Sequence, residues 1–144
     1  MGYMALALVV HFVADFLMQS RDMGKNKSIY VKVLFQHVSI QFIMFAICFA
    51  PFVGIQTALI FSLCNAAIHA LIDWNVWILY KLYAYKRIKD EASQFKISEQ
   101  ERQTWIATSV KNWQFWEDHW FFTTIGFDQM LHMLTLVALI SLLL

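Results

Sequence analysis

Four stretches of this chain are long and apolar enough to cross a bilayer as helices: 3–19, 33–54, 56–80 and 120–144. A spanning helix takes about 20 mostly apolar residues. Lipid offers the backbone no hydrogen bonds, so a chain with no β pattern crosses as helix. The first stretch is the shortest. Only 15% of the chain is charged and 60% is hydrophobic, whereas soluble domains run near 25% charged. So apolar a composition excludes disorder. Lys+Arg is 11 against Asp+Glu 10, so the chain lacks the strong positive field of a nucleic-acid reader. With one Pro and four Gly, little material exists for a loop-rich or all-β fold. The expected fold is all-α, a four-helix transmembrane bundle forming a single domain over 1–144.

The start of the chain reads as a retained span, not a cleaved signal. It lacks a basic leader, and His11 and Asp15 interrupt the apolar run. Two cysteines, Cys48 and Cys64, sit in apolar runs and imply no disulfide framework. Pro51 and Gly54 mark a tight turn between spans two and three.

Basic residues set the expected topology. Arg21, Lys25, Lys27 and Lys32 follow span one; Lys81, Lys86, Arg87, Lys89, Lys96, Arg102 and Lys111 follow span three. These are all the basic residues of the chain, so both segments are expected on the cytoplasmic side, with both termini outward. Within the long connection 81–119, Trp105, Trp113 and Trp116 lead on to Trp120. They predict an interfacial amphipathic helix over 103–122, an aromatic anchor or a lid.

The spans carry no Lys or Arg well inside them. Their ionisable groups are His11, Asp15, His37, His69, Asp73, Asp128 and His132. Neutral imidazole and carboxylate are metal-ligand types. His11/Asp15, His69/Asp73 and Asp128/His132 are i,i+4 pairs, so each pair shares a helix face. At about 1.5 Å per residue, all seven fall roughly 6–18 Å below the inner surface. Helices of alternating direction therefore bring them to one layer. An Asp at a helix centre costs about 3 kcal/mol to insert. A structural zinc contributes about 10–16 kcal/mol in small peptides and offsets three of them. A metal-free network of hydrogen-bonded His and Asp, or a proton relay, is the competing account. Seven candidates suffice for two divalent ions, or for one ion and a spare Asp. Zinc, manganese and iron all suit the set.

Gln19, Asn65 and Gln129 extend the polar faces as supporting donors. Arg21, Lys25 and Lys27 are placed to grip a lipid headgroup phosphate; each also serves as a topology anchor. Asp15, nearest the cytoplasmic surface, is the candidate general base or bridging ligand. His119, beside Glu117 and Asp118, reads as a solvated loop residue.

The ordered pattern His11-x3-Asp15-Phe16-x2-Gln19, Lys25-x-Lys27, His37, His69-x3-Asp73, Asp128-Gln129-x2-His132 resembles domain-of-unknown-function family 3307. Its members are small membrane proteins of bacteria and phages. The early His-x3-Asp is similar, more distantly, to membrane-bound proteins labelled metal-dependent hydrolases. The resemblance implies a bacterial inner-membrane protein. With the residues, it leads to an expected membrane-embedded metal-dependent hydrolase acting on membrane lipid from the cytoplasmic leaflet. Two alternatives stand beside it: a transporter or proton pathway, and a non-enzymatic membrane interaction protein whose metal or polar site is structural.

Overall fold

The computed structural model describes residues 2–112 and 117–144. The described residues form α1 (Gly2–Phe12), a π-helical turn continuing it (Val13–Leu17), α2 (Arg21–Asn26), α3 (Val31–Val53), α4 (Ile55–Ser93), α5 (Glu99–Asn112) and α6 (His119–Leu143). No strand occurs among them. Three helices, α3, α4 and α6, are long and apolar enough to cross a membrane. The first apolar helix, Gly2–Leu17, is shorter than that. The four expected full-length stretches are therefore three and a shorter one. The reason is local: the chain leaves the helix after Leu17, and Ser20 caps α2, its Oγ accepting from Met23 N at 3.1 Å.

α3 and α4 form a helical hairpin. Gly54 alone separates them, at φ 79° and ψ 154°, a conformation essentially reserved to glycine. Its N–H still closes on Ala50 O at 3.1 Å. α4 packs on α3 and α6, and α1 packs on both α3 and α6. At the Gly54 end the core is aromatic and dry: Phe45, Phe49, Phe61 and Leu136 are all 0% exposed. Phe45 and Phe61 each stack on Phe49 and meet each other tilted, with centroids 4.9–5.7 Å apart.

Away from this core, burial departs from a soluble protein's. Leu63, Leu71, Leu79, Ile47, Phe35 and Leu142 are exposed, while His37, Gln41, His69, Asp73, Asp128 and His132 are buried. Soluble domains keep such apolar side chains inside. Both halves of the pattern are compatible with α3, α4 and α6 facing an apolar medium.

The connection expected as a loop over 81–119 is substantially helical. α4 continues to Ser93, because Ile88 and Ala92 find a partner in Ile106 of α5. Ser98 and Glu101 begin α5 as a capping box: Ser98 N donates to Glu101 Oε2 at 2.9 Å, and Glu101 N donates to Ser98 Oγ at 3.3 Å. The Ser98 hydroxyl and N–H hold the Glu101 carboxyl below its usual pKa. The helix expected over 103–122 is interrupted at Asp118, which is extended at φ −91° and ψ 118°. α5 is described as far as Asn112 and α6 begins at His119, where Asp118 caps it by accepting from Trp120 N at 3.2 Å. Trp105 lies against Phe95 and Trp120 against Tyr83; Trp113 and Trp116 fall outside the described residues.

Candidate functional site

The seven His and Asp residues converge, each at most 3% exposed. α3 supplies His37, α4 supplies His69 and Asp73, and α6 supplies Asp128 and His132. α1 and its π turn supply His11 and Asp15. The π turn matters because it widens the helix at Asp15, and such turns re-aim a side chain. Asp15 faces His37 and His69, while His11, one turn back, faces α6.

Four atoms form the inner group. His37 Nε2 lies 3.0 Å from His69 Nε2, 3.0 Å from Asp15 Oδ1 and 3.1 Å from Asp73 Oδ2. His69 Nε2 lies 3.5 Å from Asp15 Oδ1 and 3.2 Å from Asp73 Oδ2. Metal–ligand bonds of about 2.0–2.1 Å in a tetrahedron imply ligand–ligand edges of roughly 3.3–3.4 Å. The donor set therefore has the size and chemistry to hold one divalent cation. A second group, Asp73, Asp128 and His132, adjoins the first through Asp73. Its members are looser: His132 Nε2 is 3.7 Å from Asp73 Oδ1 and 3.6 Å from Asp128 Oδ2. Asp128 Oδ1 and His132 Nε2 are buried without a hydrogen-bond partner among the described residues.

His11 belongs to neither group. Its Nε2 faces Gln129 Oε1 at 3.2 Å and stands 4.0 Å from Asp15 Oδ2. Gln129 ties these parts together. Its amide Nε2 donates to Asp15 Oδ2 at 2.9 Å and to Asp128 Oδ2 at 3.3 Å. Gln129 thus contacts two carboxylates and one imidazole. Gln19 lies near Gly24, where an added Cβ would meet Gln19 Nε2 at 3.0 Å; no hydrogen bond joins Gln19 to the seven among the described residues. Asn65 and Gln41 are buried one turn from His69 and His37, on the side of the phenyl core.

Lys27 departs most from the expectation. Placed by sequence at the headgroup rim, it is 4% exposed and reaches into the cluster. Its Nζ is 2.7 Å from Asp73 Oδ1, 3.4 Å from His37 Nε2 and 3.7 Å from Asp15 Oδ1. Burial pulls the ammonium pKa down, but Asp73 and Asp15 overcome it and hold it above the ordinary lysine value. Buried carboxylates attract the nearest long cationic side chain, and α2 ends where Lys27 can turn inward.

A cavity of about 310 Å³ opens onto the cluster between α2, α4 and α6. Buried Asp15 and Asp128 and half-buried Gln129 meet it from within; Phe16, Trp77, Phe121 and Ile125 wall it; exposed Arg21 and Lys25 line its outer part. Lys81, also lining it, donates to Lys25 O at 2.9 Å and Ser28 Oγ at 2.6 Å, fixing the α2 segment to α4. Trp77, Tyr80 and Lys81 were not among the expected site residues. Their signal was present: they follow Asp73 at i+4, i+7 and i+8, extending the His69/Asp73 face.

These features define an all-helical chain whose apolar helices enclose a buried His/Asp/Lys cluster. A family model described as a protein of unknown function (DUF3307) matches residues 3–144, and the chain belongs to that family. No curated protein and no solved structure matches it.

Proposed function

We propose that this protein is a metal-dependent hydrolase of the bacterial inner membrane, acting on a lipid-like substrate from the cytoplasmic leaflet. In this reading the short first helix joins α3, α4 and α6 as a four-helix bundle. The basic segments face the cytoplasm and both termini face outward. The observation that carries the proposal is the inner group: two imidazoles and two carboxylates from three different segments, with neighbouring atoms 3.0–3.5 Å apart. Asp15, His37, His69 and Asp73 hold the ion, with zinc the best fit to a four-coordinate nitrogen and oxygen set.

An ion held by these four residues would supply Lewis acidity and, only by expanding to a fifth position, would make a water acidic enough to ionise near neutral pH. The residues around it supply the rest. Asp15 Oδ1 lies in the inner group, 3.0 Å from His37 Nε2, and its Oδ2 accepts from Gln129. With Asp15 committed to the ion, we assign the general base to Asp128, which stands outside the inner group and borders the cavity. Gln129 holds Asp128 and Asp15 in place. The aromatic walls suit an acyl chain, and Arg21 and Lys25 suit an anionic headgroup. The stacked phenyl core separates the cluster from the Gly54 end, which disfavours a transporter that needs polar access from both sides.

One observation favours a second reading, a metal-free structural site: the Lys27–Asp73 contact at 2.7 Å supplies countercharge by itself. Elemental analysis of detergent-purified protein, with mass spectrometry of lipids from cells expressing wild type or Asp128→Asn, separates the two. The hydrolase account predicts bound metal and a lipid change that Asp128→Asn abolishes. Absence of metal, or an unchanged lipid profile with wild type, contradicts it.

A further inference from the structure

We propose that the centre takes one divalent cation, not two, and that Lys27 enforces this because its ammonium takes the Asp73 oxygen a second would need. The inference rests on the metal reading above and specifies its stoichiometry. Asp73 is shared by both ligand groups, the arrangement that in two-metal sites lets one carboxylate bridge ions about 3.5–4 Å apart. Its two oxygens point to different places. Oδ2 faces His37 and His69, at 3.1 and 3.2 Å, within the inner group. Oδ1 faces His132, at 3.7 Å, within the second group. Lys27 Nζ lies on Oδ1, at 2.7 Å. The ammonium thus occupies the oxygen a second ion would need.

Charge points the same way. Asp15, Asp73 and Asp128 are all at most 3% exposed, as buried here as Lys27 at 4%. With neutral imidazoles, three carboxylates and one ammonium carry at most two net negative charges, which one divalent cation is enough to cancel. A second divalent cation would leave a buried excess of at least two positive charges, and unpaired buried charge is strongly unfavourable. The length of the lysine stem also fits: the ammonium is a compact charge on a flexible chain and needs no planar partner. Asp128 and His132 are then left as a pair beside the ion, available for proton transfer and not committed to ligation.

The test is manganese loading of the purified full chain, read by elemental analysis and electron paramagnetic resonance. Wild type is expected to bind one Mn²⁺ per chain with an isolated six-line spectrum. Lys27→Gln is expected to bind two, with an exchange-coupled spectrum. Lys27→Arg, which keeps the charge, is expected to stay at one. Two coupled ions in wild type overturn the inference while leaving the metal reading intact, and this holds even if the variants fail to fold. A folded Lys27→Gln that still binds one ion overturns it as well. A wild type that binds none overturns the metal reading itself.

Discussion

Replacing Asp73 by Asn strands the Lys27 ammonium inside the bundle, and the structure sets the size of the effect. At 2.7 Å and an effective dielectric of about 20, the Coulomb attraction of the pair is about 6 kcal/mol before desolvation. Asp15, at 3.7 Å from the same ammonium, recovers part of the loss. Breaking a buried pair from one side typically costs about 3–5 kcal/mol, and Asp73→Asn is expected in that range. Lys27→Met strands the carboxylate and is expected to cost about as much. Removing both partners leaves neither charge stranded, so the double variant should be more stable than the sum predicts by about 2–3 kcal/mol. Reversible unfolding in mixed micelles, run on chelator-treated protein, isolates this coupling from any metal contribution. Additivity within about 0.5 kcal/mol would refute the claim that Lys27 is the counter-ion of Asp73.

Phe61→Ala opens a hole in the stacked core and is expected to lower stability by about 3–5 kcal/mol while leaving metal content unchanged; unfolding curves and elemental analysis check both halves. Gly54→Ala forces a side chain into a conformation that only glycine accepts easily, with an expected loss of about 1–3 kcal/mol in the same assay. Asp118→Ala removes the cap of α6 and the acceptor of the Tyr80 hydroxyl, which donates to Asp118 Oδ2 at 3.0 Å. A loss of about 1–3 kcal/mol is expected. For topology, a cysteine introduced at Ser93 should react with a membrane-impermeant maleimide only in inside-out vesicles; labelling in right-side-out vesicles would reverse the assigned orientation.

Much of the site was legible because ionisable residues inside long apolar helices are rare enough to be read one by one. His37, His69, Asp73, Asp128 and His132 are brought together from facing helices, and Gln129 touches Asp128, Asp15 and His11. The π turn was not legible. Nothing in Val13–Leu17 distinguishes it from ordinary helix, yet it turns Asp15 toward His37 and leaves His11 facing Gln129. Lys27 was misplaced because sequence position reports where a backbone lies, not where a long side chain ends. Its four-carbon stem lets a residue just past α2 reach charges on α4. The extension of α4 to Ser93 was missed for a different reason. Its apolar positions, Ile88 and Ala92, are sparse, and they pack only because Ile106 returns to cover them.

X-ray absorption at the zinc edge on protein purified without added chelator tests the central claim most directly. The account predicts a four-coordinate ion with nitrogen and oxygen ligands at about 2.0–2.1 Å, including two imidazoles, lost in His37→Ala and His69→Ala variants. Protein that retains its fold and carries no metal would contradict it, as would an ion held by the sulfur of Cys48 or Cys64.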